Sequence, residues 1–340
     1  MRKKLTGILS LFMMLGFLAG CAAEADTGEA FASEDGTEEM EGYIVVGFSQ
    51  IGSESDWRIA NAQSFRDEFT EENGYYLIFE DAQQKQENQI KAIRQFILQE
   101  VDYIVLDPIV ESGWEGVLQE ARDAGIPVIL ADRMLKVEDE GLYTCWVGSD
   151  FKGEGRMAGE WLADYLESRE REEEPINIVT IQGTLDSSAQ LGRTGGFWEI
   201  AQQHPNWTVL EWQSGDFTQA KGREVMEDYL EKYSQIDVVV CENDNMAFGA
   251  IDAIQKAGKT CGPRGDIIII SFDAVIAALE AMRRGEINLT IECNPQLGGM
   301  VSEIIQDLEQ GEPVEKINYV EETYFDASMN LSRIIETRPY

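Results

Sequence analysis

What this 340-residue chain lacks narrows its chemistry before any motif is considered. It has one histidine, His204, so histidine-based metal centres and Ser-His or Cys-His catalysis are short of their usual material. Positive charge is scarce: 27 Lys and Arg stand against 63 Asp and Glu, a net charge of −36. Nucleic acids are held by clustered cations that release counterions, so no nucleic-acid partner is expected, and the acidity serves solubility. Cysteines number five, without C-x-x-C spacing. Cys145, Cys241, Cys261 and Cys293 are expected as buried thiols, with a disulfide as the alternative. Neither a metal nor a cofactor is called for. The longest apolar segment near the start, Ile8–Leu18, is too short for a stable membrane span.

That segment has a different use. Arg2, Lys3 and Lys4 precede it, and Leu18-Ala19-Gly20-Cys21 follows, resembling the lipobox of bacterial lipoproteins. Residues 1–20 are therefore expected to be a lipoprotein signal peptide. The mature chain then begins at Cys21, whose acyl chains anchor it to the outer face of the bacterial cytoplasmic membrane. The alternative is an ordinary cleaved signal in which Cys21 is incidental. Residues 21–42, rich in Glu, Asp, Gly, Ala, Ser and Thr, are expected as an acidic flexible tether.

From Tyr43 onward, short apolar runs alternate with helical patterns. Strands are expected at Tyr43–Phe48, Tyr75–Phe79, Tyr103–Leu106, Val128–Ala131 and Tyr143–Val147, with a first helix over Asp56–Glu72 closed by Asn73-Gly74. A charged stretch, Glu167–Glu174, interrupts the order, and the alternation restarts with strands at Ile176–Ile181, Thr208–Glu211, Val238–Cys241, Ile267–Ser271 and Leu289–Glu292. This pattern predicts an α/β protein of two doubly wound parallel-sheet lobes. Ligands in such sheets sit beyond the strand C-termini, so two facing lobes place one cleft between them.

The residues just past those strands form a coherent set: Glu54, Trp57 and Arg58; Asp107; Asp132-Arg133; Gln182; Asp216-Phe217; Glu242-Asn243-Asp244; Asp273; Glu292. They are carboxylates, amides, guanidinium groups and rings, with no nucleophile paired to a base. A sugar needs such a set, because each hydroxyl both donates and accepts and the ring's C–H face packs on aromatics. Plainer roles compete: Trp57 for helix packing, Asp107 for a turn before Pro108, Asp132-Arg133 for a solvated turn, Asp244 for starting a helix.

Taken together, GFSQIGSESDWR, DAQQKQENQIKAIRQF, GIPVILADR, SGDFTQAKG, CENDNMAFGAIDAI, ISFDA and GEINLTIECNPQLGG resemble the ribose/galactose-type periplasmic sugar-binding proteins of ABC transporters, the type I solute-binding fold. SQIGSESDWR, QQKQENQIKA and SGDFTQAKG look most like the galactofuranose-binding branch. The resemblance implies three crossings between lobes, dividing the body into 43–149 plus 295–317 and 150–294 plus 318–330. It also implies that Asp132, Arg133, Asn243 and Asp273 hold sugar hydroxyls, that Phe217 stacks, and that Glu54, Trp57 and Arg58 serve a furanose. Glu292 falls where relatives carry Gln or Asn. Two departures stand out. A binding Arg of the family falls at Leu191, with Arg193 as the nearby replacement, and Ala274 stands where a Gly is usual. The implied function is capture of a monosaccharide, galactofuranose or a related aldose, by a monomeric receptor that closes and delivers it to an ABC permease without breaking a bond. The alternatives are a sensor for a chemoreceptor or histidine kinase, a glycosidase, and a sugar-responsive repressor; the export signal argues against the last.

Overall fold

The computed structural model describes residues 42–340; the stretches expected as signal peptide and tether, with Cys21, fall before residue 42 and lie outside the described residues. The first sheet is laid down by β1 (Ile44–Gln50), β2 (Tyr75–Asp81), β3 (Tyr103–Leu106), β4 (Val128–Ala131) and β5 (Cys145–Gly148), in spatial order β2-β1-β3-β4-β5. The helices α1 (Asp56–Glu68), α2 (Gln86–Leu98) and α3 (Glu115–Asp123) connect them. All these pairs are parallel, and β3, β4 and β5 are buried throughout, which is why their sequences are unbroken apolar runs.

The second sheet repeats the plan. The helix α4 (Phe151–Ser168) leads into β6 (Ile176–Gln182), α5 (Ser188–Ala201), β7 (Trp207–Ser214), α6 (Gln219–Lys232), β8 (Val238–Cys241), α7 (Asp244–Lys256), β9 (Ile268–Asp273), α8 (Ile276–Arg284) and β10 (Leu289–Glu292). Its strand order is β7-β6-β8-β9-β10. The chain then returns: α9 (Gly298–Gln310) packs on α1, where Gly298 N–H donates to Ser64 Oγ at 2.9 Å. Next, β11 (Ile317–Tyr319) extends the first sheet beside β5, and β12 (Tyr324–Asp326) joins β10 antiparallel in the second. A last helix, α10 (Leu331–Thr337), lies against α8. Three links thus join the lobes, at residues 149–150, 293–297 and 320–323.

Several boundaries differ from expectation for identifiable reasons. The first helix stops at Glu68 rather than Glu72, because Phe69 leaves helical geometry (φ −88°, ψ 65°) to bury its ring between Phe65 and Tyr75. Asn73-Gly74 ends a separate short turn, with Gly74 at φ 84°. The fifth strand starts at Cys145, two residues late, and α10 lies beyond the last element that the sequence pattern predicts. Among the described residues all four cysteines are free thiols, and no helix is long and apolar enough to cross a membrane.

Candidate functional site

The tips of the two sheets face each other across a crevice of about 300 Å³, its mouth included. Glu54, Trp57, Arg58, Asp132, Arg133, Arg193, Phe217, Asn243 and Asp273 all line it, as do Ser55, Phe151, Ala189 and Cys293.

The first-lobe wall is built around Arg58. Ser55 caps α1 by accepting from Arg58 N–H at 3.1 Å, which sets the first turn so that Arg58 runs inward past the tips of β3 and β4. There its guanidinium binds Asp107, Asp132 at 2.9 Å and Glu54 at 3.3 Å. Burial alone would pull the Arg58 pKa down, but the three carboxylates, Asp107 foremost, hold it above the ordinary value. Asp107, fully buried, is not among the residues lining the crevice; it anchors Arg58 from behind. Arg133, one residue on, donates to the Ile109 carbonyl at 3.0 Å and reaches across the gap, its guanidinium 5.0 Å from the centre of the Phe217 ring. Its pKa is lowered by burial and by the neighbouring Arg58 charge.

The second-lobe wall is built around Arg193. The helices α4 and α5 approach so closely that a Cβ at Gly155 would lie 2.3 Å from the Arg193 carbonyl oxygen, and one at Gly196 2.1 Å from that of Lys152. This contact brings Glu154 Oε2 within 2.6 Å of Arg193 Nε, and the guanidinium extends past it to Asp273 at 3.6 Å and to the Glu242 carbonyl. Burial opposes the Arg193 charge, yet Glu154 and Asp273 hold its pKa well up. Leu191, where the resemblance puts a binding Arg, is exposed, whereas Arg193 lines the crevice.

Three crevice residues are held in left-handed backbone conformations: Asp132 at φ 57°, Phe217 at φ 59° and Asp273 at φ 104°. Each such conformation costs on the order of 1–2 kcal/mol outside glycine, and this kind of strain clusters where side chains must be aimed. Ala274 follows at φ 57°, so the turn keeps its left-handed shape despite the missing glycine. Two buried polar atoms on lining residues, Glu54 Oε2 and Arg133 Nε, have no protein partner. One is an acceptor and the other a donor, the pair that a hydroxyl group satisfies.

Other residues around the crevice hold the lobes and helix starts in place. Trp57 bridges the lobes: its Nε1–H donates to the Cys293 carbonyl at 2.6 Å and its ring packs against the second lobe's core while also lining the crevice. Asn243, not Asp244, caps α7; its Oδ1 accepts from Met246 N–H and its Nδ2 donates to the Phe217 carbonyl, leaving one N–H for a ligand. Asp244 instead binds Ser271 Oγ, Thr290 Oγ1 and Val275 N–H in the interior. Gln182 and Glu242 converge on Thr194 behind the wall.

Glu292 is not among the residues lining the crevice. Its carboxylate is held by Arg338 at 2.6 Å and by the Tyr340 hydroxyl at 3.1 Å, both near the chain's end. The next residue, Cys293, lines the crevice instead. A strand alternates faces, so an offset of one residue sends a side chain to the opposite side. The sequence signal that finds Cys293, Phe151 and Ser55 is the one already used, residues just past a strand or at a helix start, applied one position further along.

The lobes are closed over the space. Asp56 N–H donates to Asn245 Oδ1 at 3.0 Å, Glu111 N–H to the Asp186 carbonyl at 3.0 Å, and Met134 N–H to Ser188 Oγ at 2.8 Å, each across the gap.

Comparison with known proteins places this geometry in context. A family model described as a periplasmic binding protein domain matches residues 46–313. The galactofuranose-binding protein YtfQ of Escherichia coli (strain K12) is 41% identical over 286 residues, covering 83% of this chain and 87% of the relative. A Mycobacterium smegmatis protein solved in complex with β-D-fucofuranose superposes with a TM-score of 0.83 at 41% identity, covering 87% of this chain and 95% of that one. The periplasmic binding component of the arabinose ABC transporter of Shewanella sp. ANA-3, bound to α- and β-L-arabinofuranose, does so with a TM-score of 0.81 at 40% identity, covering 87% and 95%. With two mainly parallel sheets joined by three links, closed over one polar crevice, and with this match over most of its length, the chain belongs to the periplasmic binding protein family.

Proposed function

We propose that this protein captures a single monosaccharide in furanose form, galactofuranose or a related aldose, and delivers it to an ABC permease, breaking no bond in the sugar. The observation that carries this reading is the mixture of acceptors and donors on the crevice wall. Glu54, Asp132 and Asp273 face Arg58, Arg133 and Arg193 around the Phe217 ring, and behind them Asp107 and Glu154 also pair with Arg58 and Arg193. A neutral ligand rich in hydroxyls suits a wall that offers both donors and acceptors. A phosphorylated or aminated sugar would leave one sign uncompensated in a buried site, which is costly. The furanose ligands of the similar proteins support the ring form. Free energy of binding favours the closed form, and the closed shape is what a permease distinguishes.

The test is a thermal-shift screen of aldoses, furanosides, sugar phosphates and amino sugars. Methyl β-D-galactofuranoside at about a hundred times its dissociation constant should stabilise the fold by about 2.7 kcal/mol and raise the Tm by several degrees. Sugar phosphates should do nothing. A screen in which no neutral sugar moves the Tm removes the reading.

The same proposal includes a monomeric receptor anchored through Cys21 to the outer face of the cytoplasmic membrane. Cells fed labelled palmitate should yield a labelled protein; label that persists in Cys21→Ala would place the anchor elsewhere.

A further inference from the structure

The three links between the lobes meet at one carboxyl group. Glu322, in the third link, accepts at Oε1 from Ser149 Oγ in the first link (2.7 Å) and from Asn294 N–H in the second (2.8 Å). Beside it lie Glu154 of α4 and Cys293 of the second link; a carboxylate oxygen of each glutamate and the Cys293 sulfur are within 4.8 Å of one another. Ser149 Oγ also contacts that sulfur at 3.3 Å. Glu154 spends Oε2 on Arg193, while its Oε1 is buried without any protein partner. Two carboxyl groups and a thiol therefore crowd together with one guanidinium group to balance them. Two ionised carboxylates this close in a water-poor setting repel, so one of them keeps a proton. A proton on Glu322 also places a donor near Glu154 Oε1, the one oxygen of that carboxylate without a hydrogen bond.

Rotation of one lobe against the other has to be absorbed in these links. We infer that Glu322 is a proton-operated clasp of the hinge: its neutral carboxyl holds the three links together in the closed form, and its ionisation favours opening, so ligand affinity falls as pH rises.

The surroundings fix the sign. Burial pushes the Glu322 carboxyl up to about 9, and Glu154 adds to this; the Ser149 and Asn294 donors and Arg193 pull the other way. Cys293 is itself pushed well up by burial and by Glu154, so it stays a neutral thiol, and Asp132 at the tip of β4 acts on both in the same direction. On the other side of the links, Glu292 accepts from Thr323 N–H at 3.1 Å and is paired with Arg338. An opened hinge admits water and returns Glu322 towards the usual carboxylate range. A group raised in the closed form stabilises it fully below the open-form pKa, and that contribution is lost as pH climbs through about 9. Binding is accordingly accompanied by proton uptake in that window.

The assay rests on the sugar reading, so its failure has to be separable. Calorimetric titration of the full chain with methyl β-D-galactofuranoside should give a dissociation constant that rises about tenfold or more between neutral pH and pH 9. In Glu322→Gln, which carries no titrating group there, it should change by less than about twofold. An equal rise in Glu322→Gln, or a flat wild-type profile, overturns the inference. Ser149→Ala keeps the carboxyl and removes a donor to its ionised form; it should carry the decline to higher pH, and an unchanged profile counts against the clasp even if Glu322→Gln does not fold. If the furanoside binds none of the proteins, the sugar reading fails instead. The clasp is then judged by small-angle scattering of the ligand-free chain: the radius of gyration should grow with pH in the wild type and not in Glu322→Gln, and identical curves overturn it.

Discussion

Replacing Asp132 by alanine is expected to remove most of the protein's affinity for its sugar while leaving both sheets folded. Asp132 lines the crevice, is almost completely buried, and binds Arg58 Nη1 at 2.9 Å next to Arg133. Without it, Arg58 keeps Asp107 and Glu54, so the fold retains two counter-charges for that guanidinium group. The ligand, however, loses a charged acceptor and meets an Arg133 whose nearby charge is no longer balanced. Truncating one partner of a buried, hydrogen-bonded charge pair costs about 2–5 kcal/mol in binding, roughly thirtyfold to several thousandfold. Calorimetry measures the binding and a circular-dichroism melt checks the fold. Affinity within a factor of about two of wild type would show that Asp132 does not hold the ligand.

Arg193→Leu is expected to be the more damaging change to stability. Arg193 stands between Glu154 and Asp273, both buried, and packs over the rings of Phe151 and Phe272 at 5.4 and 5.0 Å. Leucine keeps the apolar contacts and removes the charge, leaving two carboxyl groups without a counter-ion. Breaking a buried pair from one side costs about 3–5 kcal/mol, visible as a lower urea midpoint with an unchanged m-value. The pH dependence separates charge from packing. Burial raises the Glu154 carboxyl even in the wild type, and without Arg193 it rises further. A group raised in the folded state costs nothing below its unfolded pKa and costs progressively more as pH rises through the folded value. The deficit of the variant should therefore shrink as pH falls towards the ordinary Glu range. A deficit equal at acid and neutral pH would mean that lost packing, not an orphaned charge, is responsible.

The surroundings of Asp132 and Arg193 mark the limit of what the sequence discloses. The apolar runs Tyr103–Leu106 and Val128–Ala131 announce buried parallel strands, because only a strand covered on both faces is apolar at every position. The rule that ligands sit past such strands then selects Asp132, Arg133, Phe217, Asn243 and Asp273, all of which line the crevice. The same rule also points to Glu292, whose carboxylate is instead held by Arg338 and the Tyr340 hydroxyl, while the next residue, Cys293, lines the crevice. It also offers no means of separating Asp107, which supports Arg58 from behind, from Asp132, which faces the space.

Other contacts have no local trace in the chain. The Phe217 ring occupies the place of a missing side chain, because a Cβ at Gly183 would lie 1.9 Å from its Cζ. The indole of Trp57 reaches a carbonyl 236 residues away. Glu322 looks like one more acidic residue of an acidic protein until the three links are brought to it. By itself the order of residues determined the class of fold, the sheet edge at which the crevice forms and the chemical types gathered there, because these follow from hydrophobic period and strand direction. Only the tertiary structure decided which carboxylate pairs with which guanidinium group, which side chain of an adjacent pair meets the crevice, and how the hinge is tied. Those depend on distances between segments far apart in the chain, set by the packing of whole helices and sheets.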